Sequence, residues 1–241
     1  MKKLISLLIP IIIIPLGLEA QSDTIKSTYV FNLTGVVNTV NGSNRTIITS
    51  NASNTVRWKN FESGTNTDYQ LISDNGKNAV NDFTIRIQPR VIQPKSSIFS
   101  FAQLSSLESK KITHRFEGGI GGGKTLFKGK YLESTVSYGV LYFDNAYQDL
   151  SMRKGFRHSP RFQIFGKADQ YKVAYYYEIY YQPSTRDLSD YILRSKASVG
   201  FDLNKKVTIN MSYVTWYETY FITGSMNDIK TFSFGTSYKI D

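Results

Sequence analysis

Apolar and polar residues alternate along much of this chain, most clearly at its end. In the stretch KTFSFGTSYKID (residues 230–241), Phe232, Phe234, Tyr238 and Ile240 share one face, and small or polar residues occupy the other. A period of two residues is typical of a β-strand with one apolar and one polar side. We therefore expect this stretch to be a strand.

The same pattern predicts about twelve strands in the whole chain. The others cover residues 27–38, 44–51, 54–61, 82–90, 97–107, 111–125, 131–143, 161–167, 171–181, 191–203 and 207–217. Short connections are expected near residues 52, 92, 128, 169 and 204, and mostly longer ones near residues 41, 70, 150, 186 and 222. Two of the longer connections are the polar stretches 62–79 and 144–159.

An even number of strands with alternately short and longer connections is how single-chain bacterial barrels are built. The sequence therefore predicts an all-β fold, a transmembrane antiparallel β-barrel of about 12 strands with short periplasmic turns and longer extracellular loops. The mean hydropathy of −0.28 is compatible with this fold, since only half of each barrel strand is apolar. The 17 Tyr and 15 Phe suit strands and the aromatic girdles of such barrels.

The closing strand also carries a candidate assembly signal. Ser233, Gly235, Tyr238 and Ile240 have the polar, glycine, aromatic and hydrophobic spacing of the C-terminal signal of bacterial outer-membrane barrels. We expect this strand to be recognised by the outer-membrane assembly machinery, and the barrel to lie against outer-membrane lipid.

The N-terminus is typical of a signal peptide. Two lysines precede an apolar run over residues 4–18, and Ala20 offers a small residue for cleavage. The run is shorter than the ~20 residues of a membrane-spanning helix. We predict a signal peptide over residues 1–20, a barrel over residues 21–241, and a location in the outer membrane of a Gram-negative bacterium.

The formal net charge is +10, and the alternation within each predicted strand assigns many of the charged residues to the inside of the barrel. The basic residues predicted to line the lumen are Arg57, Lys59, Arg86, Arg90, Arg115, Arg161, Lys167, Lys172, Arg194 and Lys196. The acidic residues predicted to line it are Glu117, Glu133, Glu178 and Asp202. A basic lumen favours small anions as solutes, or else a plug of ion pairs with no path. Because the charge is expected inside the barrel, nucleic acid is not an expected partner.

Few residues offer catalytic chemistry. Without cysteine, disulfides, thiol nucleophiles and cysteine-ligated metals are excluded. A barrel hydrolase would need a Ser–His pair, for which His158 and Ser159 near an outer loop are the best candidates, although neighbours on a strand face opposite ways. The glycine-rich stretch 118–125 departs from the phosphate-loop spacing and suits a closely packed barrel wall. We expect no enzymatic activity, no metal and no cofactor.

Three segments resemble a known family. They are YYQPSTRDLSDY (residues 180–191), the stretch from Trp216 to Ile240, and the glycine-rich strand at residues 115–123. They are similar to the salt-induced, YdiY-like outer-membrane proteins, a family of unknown function. The resemblance implies the barrel fold and its location, but no catalytic residues.

Three functions remain open on the sequence. The leading one is a narrow pore or small-solute binding barrel with a basic lumen that prefers anions. The alternatives are a lipid-acting hydrolase that uses His158 and Ser159, and a structural or surface-adhesion barrel that works through its outer loops.

Overall fold

The computed structural model describes residues 25–40, 43–74, 77–168, 172–220 and 228–240. The predicted signal peptide lies outside them. The described residues form thirteen β-strands and one short 3-10 helix at Glu108–Lys110. The strands are β1 (Ile25–Val40), β2 (Ser43–Trp58), β3 (Phe61–Asp74), β4 (Lys77–Ile92), β5 (Ser96–Leu107), β6 (Ile112–Lys128), β7 (Leu132–Tyr147), β8 (Met152–His158), β9 (Arg161–Ala168), β10 (Val173–Pro183), β11 (Tyr191–Asp202), β12 (Val207–Glu218) and β13 (Asp228–Ile240).

All the strands belong to one closed antiparallel sheet. Its order runs from β6 through β5, β4, β3, β2, β1, β13, β12, β11, β10 and β9 to β7, and β7 pairs again with β6. The first strand, β1, pairs with the last, β13, so that Phe31 faces Tyr238 across the seam. This confirms the predicted all-β transmembrane antiparallel β-barrel.

β8 and β9 act as one strand of the barrel wall. Both run antiparallel to β7, and their registers continue one another across residues 159–160. Ser159 and Gly139 exchange two backbone hydrogen bonds, of 2.9 and 3.2 Å. The interruption falls at Pro160, which has no N–H to donate to the ladder. The barrel therefore has the twelve wall strands that were predicted.

Two predictions in the N-terminal part were wrong, and their effects on the strand count cancel. The predicted turn near residue 52 lies inside β2, and most of the predicted loop 62–79 is β3. β3 was not predicted as a strand because both of its faces are polar. Ser63, Thr65 and Thr67 lie on its outward face, and many of its inward residues are polar too. Alternation disappears when both faces of a strand are polar.

The predicted loop 144–159 was also too long. β7 continues to Tyr147, and β8 occupies residues 152–158, so the connection between them is residues 148–151. The two ends of the barrel are nevertheless distinct. One end, here called the turn end, has the chain ends Ile25 and Ile240 and short connections such as residues 59–60 and 203–206. The other, the loop end, has the longer connection at residues 184–190.

Outside β3, much of the outward face is apolar and exposed. Ile120 is 71% exposed and Ile98 is 66% exposed, on neighbouring strands. At the loop end, the ring centroids of Tyr181 and Tyr191 lie 5.2 Å apart, and those of Tyr191 and Tyr217 lie 5.9 Å apart. Exposed aliphatic side chains beside an aromatic cluster are typical of a barrel that spans a membrane. No helix of the described residues is long and apolar enough to cross a membrane.

The closing seam depends on a glycine. Gly235 of β13 faces Thr34 of β1, and a Cβ atom at Gly235 would lie 2.3 Å from the carbonyl oxygen of Leu33. Within the candidate assembly signal, Gly235 therefore has a packing role in this structure. Ser233 faces inward, and Tyr238 and Ile240 face outward.

Candidate functional site in the barrel lumen

The structure places most of the predicted lumen residues on inward-facing positions of the wall. The basic ones are Arg57, Arg86, Arg90, Arg115, Arg161, Lys167, Arg194 and Lys196, and the acidic ones are Glu117, Glu133, Glu178 and Asp202. Arg57, Arg90, Lys167 and Glu133 lie towards the turn end, where the lumen meets solvent.

Two predicted lumen residues are corrected. Lys59 and Lys172 lie in turns at the turn end, with φ angles of 50° and 53°. Lys59 places its ammonium 5.3 Å from the centroid of the Trp58 ring. The period of two holds only along a strand, so the inward phase assigned to these two residues does not extend into a turn.

A cluster of charges lies at the middle of the lumen, mostly on β9, β10 and β11, with one residue from β4. We call it the central cluster, and its members are Arg86, Arg161, Glu178, Arg194 and Lys196. Arg161 forms an ion pair with Glu178, which also accepts hydrogen bonds from the hydroxyl of Tyr176 at 2.6 Å and from the Gln163 amide at 3.2 Å. Lys196 stands directly opposite Glu178 on the neighbouring strand. Cations therefore surround one carboxylate.

The cluster is completed from the other side of the barrel. Arg86 projects from β4, which is nearly opposite β10 in the strand order. It is repelled by Arg161 and attracted by Glu117 and Glu178. On β11, Arg194 and Lys196 are attracted by Asp68 of β3, again from the far wall. The lumen is narrow enough at this level for charges on opposite walls to act on one another.

Aromatic rings hold two of these arginines in place. The guanidinium carbon of Arg86 lies 4.6 Å from the centroid of the Phe101 ring. Arg194 lies 5.1 Å from the centroid of the Trp216 ring, and its Nη1 donates to the hydroxyl of Tyr180 at 3.2 Å. Cation–π contacts of this kind orient a guanidinium without using all its donors.

The arginines of the central cluster keep unused donors. Among the described residues, the Nε atoms of Arg86, Arg161 and Arg194 are buried and make no hydrogen bond. A buried N–H without an acceptor costs about 1–3 kcal/mol, so three of them at one level of a lumen indicate a place for an acceptor that comes from outside the chain.

The loop end of the lumen is closed by a second network. Glu218 of β12 accepts two hydrogen bonds from Arg115 of β6, at 3.2 and 3.3 Å, one from Lys110 at 2.6 Å and one from Trp216 at 2.8 Å. β6 and β12 lie nearly opposite one another in the strand order. We call Lys110, Arg115 and Glu218 the loop-end plug, because they link two facing walls.

The loop-end plug is almost completely buried. Arg115 is 1% exposed, and its Nε donates to Asn145 at 3.1 Å. Burial lowers the pKa of Lys110 to about 8, against the opposing attraction of Glu218. Glu218 is the carboxylate that both cations share, while Asp82 also attracts Lys110 and Glu117 also attracts Arg115.

Asp190, at the end of the connection between β10 and β11, extends the closure to β8. It forms ion pairs with Arg153 at 2.7 Å and with Arg157 at 2.9 Å. Arg157 also donates to the backbone oxygens of Gln182 and Asp190, both at 2.9 Å. The pocket left between these residues and the loop-end plug has a volume of about 10 Å³, room for about one water molecule.

The turn end of the lumen is open by contrast. Phe165 faces inward between Glu133 and Tyr176, yet it is 50% exposed. Arg90 pairs with Glu62 near the same end while remaining partly in solvent. The lumen is thus a vestibule that narrows at the central cluster and ends at the loop-end plug.

The candidate hydrolase pair is not brought together. His158 lies in β8, in the middle of the wall, where its Nδ1 contacts the outward-facing Tyr138 hydroxyl at 2.5 Å. Ser159 faces the lumen and accepts a hydrogen bond from Gln182 at 3.2 Å. The prediction that the two lie near an outer loop was wrong, because that part of the predicted loop is a strand.

Several lumen residues were not predicted, because the strands that carry them were assigned to loops or ended too early. Asp68, Arg153 and Arg157 fall inside stretches assigned to loops, so no inward phase was considered for them. Glu218 follows the predicted end of its strand by one residue. If the alternation had been continued one or two residues beyond each predicted strand end, Glu218 would have been predicted to face the lumen.

Comparison with solved structures supports this fold. The NanC porin superposes with a TM-score of 0.58 at 10% identity, over 88% of this chain and 100% of that chain. The KdgM porin gives a TM-score of 0.53 at 10% identity, over 88% and 99%. An outer membrane channel from Pseudomonas putida F1 gives 0.51 at 10% identity, over 92% and 97%. The chain therefore has the fold of these bacterial outer-membrane β-barrels.

Family membership follows from the sequence itself. No curated protein is similar enough in sequence to count as a match. A family model described as "Protein of unknown function, DUF481" matches residues 33–240, which is most of the chain and includes all but the beginning of the barrel. The chain belongs to this family.

Proposed function

We propose that the barrel is a narrow pore that admits small solutes and prefers anions. The observation that supports this most is the central cluster, where Arg86, Arg161, Arg194 and Lys196 outnumber the acids beside them. A positive lining in a narrow, low-dielectric tube raises the local concentration of anions and repels cations.

The loop-end plug sets the condition for conduction. A solute that enters from the turn end meets the central cluster first and then the cross-lumen contacts of Glu218. Transport therefore requires these contacts to separate, and the pore alternates between a closed form and an open form. In the predicted orientation, the turn end faces the periplasm and the plug faces outward.

Ion selectivity in planar bilayers tests the proposal. With a potassium chloride gradient across the membrane, the reversal potential of the unmodified protein should have the sign of anion preference. Arg86→Glu together with Arg194→Glu should weaken or invert it, since two cations become anions at the narrow level. Lys59→Glu, in a turn away from the lumen wall, is the matched control and should leave the potential unchanged.

Two outcomes would reject the pore. One is cation preference in the unmodified protein. The other is an absence of conductance at every voltage, both in the unmodified protein and in Glu218→Gln, in which the plug has lost its carboxylate charge. The second result would favour a closed barrel that works through its outer loops.

We propose that the protein acts without catalysis. A Ser–His mechanism needs the two side chains within hydrogen-bond reach, whereas His158 and Ser159 face opposite sides of the wall. Recognition of the closing strand by the assembly machinery, and the narrower resemblance to salt-induced, YdiY-like proteins, stay predictions.

A further inference from the structure

The donors left unused in the central cluster have a particular shape. The Nε–H of an arginine and the adjacent Nη–H point the same way and together match two oxygens of one acceptor. In Arg194 the Nη1 atom donates to Tyr180, while Nε is buried without an acceptor among the described residues. In Arg161 the adjacent Nη2 already serves Glu178 and the hydroxyl of Tyr176, so the Nε–H alone is left over.

Arg86 offers the strongest case. Its guanidinium stacks on Phe101, and its Nε is buried and makes no hydrogen bond with the described residues. Arg161, on another side of the barrel, repels it. Two repelling guanidiniums with unused, directional donors form a favourable site for an anion that can accept from both.

The geometry favours an oxyanion over a halide. A halide is a single spherical acceptor, whereas a carboxylate or phosphate offers two or more oxygens to the paired N–H donors of a guanidinium. The cluster also has charge left for such a ligand. Arg86, Arg161, Arg194 and Lys196 carry four positive charges against three negative charges on Glu178, Glu117 and Asp68, so one positive charge is left uncompensated.

We propose that the central cluster is a saturable binding site for one oxyanion, the carboxylate or phosphate group of a small solute, held by Arg86, Arg161 and Arg194. The proposed pore would bring the solute to this site, so the inference rests on that function and adds the chemical class of its ligand. Lys196 contributes charge beside the site, and the rings of Phe101 and Trp216 keep two of the guanidiniums in position.

Calorimetric titration of the detergent-solubilised full chain tests the site. Sodium phosphate and sodium acetate are titrated separately into protein in a constant chloride background. We expect saturable binding of at least one of them at one site per chain. Binding of phosphate alone identifies a phosphate site, and binding of acetate identifies a carboxylate site. Linear, non-saturating heats for both anions would overturn the inference.

A conservative variant separates hydrogen-bond geometry from charge. Arg86→Lys and Arg194→Lys keep both positive charges but remove the paired N–H edge. Loss of a hydrogen bond to a charged group should weaken oxyanion binding about tenfold or more in each variant. Lys59→Gln should bind as the unmodified protein does. Equal affinity in the lysine variants would show that charge alone attracts the anion, and would overturn the site as drawn.

The same variants distinguish failure of the site from failure of the pore. If the lysine variants retain anion preference in bilayers but lose saturable binding, both the pore and the site stand. If saturable binding is present without conductance, the site stands and the pore proposal fails. If anion preference is present without saturable binding, the pore stands and this inference fails. Far-ultraviolet circular dichroism and heat-modifiable electrophoretic mobility confirm that each variant is folded.

Discussion

The two ends of the lumen are built from the same strands and the same alternation, yet they differ in how they are filled. At the loop end, Arg115 and the inward-facing Leu141 are each 1% exposed, and ion pairs cross from wall to wall. At the turn end, the inward-facing Phe165 is 50% exposed. The comparison shows that the inward phase of a residue does not decide whether a barrel is open. The side chains that meet it from the opposite wall decide that.

The difference has an energetic side as well. Charges at the loop end are out of water and depend on their partners, so removal of one partner leaves the others uncompensated. Charges at the turn end are partly hydrated, and an exposed ion pair there contributes about 0–1 kcal/mol. The variants below use that contrast, from the largest expected effect to the smallest.

Glu218→Ala should have the largest effect. It leaves Lys110 and Arg115 buried without their shared carboxylate, and such a loss costs about 3–5 kcal/mol of unfolding free energy. Urea unfolding in detergent or lipid measures it. Glu62→Ala at the turn end removes the partner of the partly exposed Arg90 and should cost about 1 kcal/mol or less. Equal losses in the two variants would refute the contrast between the ends.

Ile120→Arg and Phe165→Arg compare the stability cost of an arginine on the lipid-facing side with its cost in the open part of the lumen. Ile120 is 71% exposed on the outward side of β6, where an arginine at mid-membrane depth costs roughly 2–4 kcal/mol. Phe165→Arg places the same charge in the open vestibule and should lower the urea midpoint much less. A larger loss for Phe165→Arg would mean that the vestibule is not open to water.

Gly121→Ala examines the close packing of β6 against β5 and β7. A Cβ atom there would lie 2.6 Å from both the ring of Phe99 and the backbone oxygen of Tyr138. Overpacking of this kind costs about 1–3 kcal/mol. Gly122→Ala is the control on the outward face, where the nearest atom to the new Cβ would be 3.6 Å away. Indistinguishable midpoints for the two variants would contradict the close packing at Gly121.

The pH dependence of stability gives the smallest effect. Because burial lowers the pKa of Lys110 from 10.5 to about 8, the folded protein releases this proton at lower pH than the unfolded chain does. The unfolded chain then binds more protons, so stability should rise by about 1 kcal/mol between pH 8 and pH 9. Urea midpoints at pH 7, 8 and 9 measure the rise. It should be absent in Lys110→Met, and a rise that persists there belongs to another group.

The success of the sequence prediction differed along the chain. In β10, Tyr175 and Tyr177 face outward and Tyr176 and Glu178 face inward, as the alternation predicts. In β2 and β3 the alternation is weak, and a turn and a loop were placed where the wall is continuous. Hydrophobic patterning identifies a strand only when its two faces differ in polarity. In β3 they do not.

The candidate site was predicted only in part, because alternation assigns a residue to a face only within a strand. Local phase is enough to place Arg86, Arg161 and Arg194 on the inward face, since it depends only on the residues of one strand. It says nothing about the turns that hold Lys59 and Lys172. It includes Glu218 only when the strand is extended by one residue beyond its predicted end.

What the sequence determined by itself was the class of fold and the side of the wall on which most side chains lie. Those properties follow from a period of two residues, which is local. Only the tertiary structure decided that Arg115 meets Glu218, 103 residues away in the chain, and that Arg86 reaches the charges of β9 and β10. Contacts across a lumen depend on how many strands close the barrel and how they are staggered, and neither is encoded in any one strand.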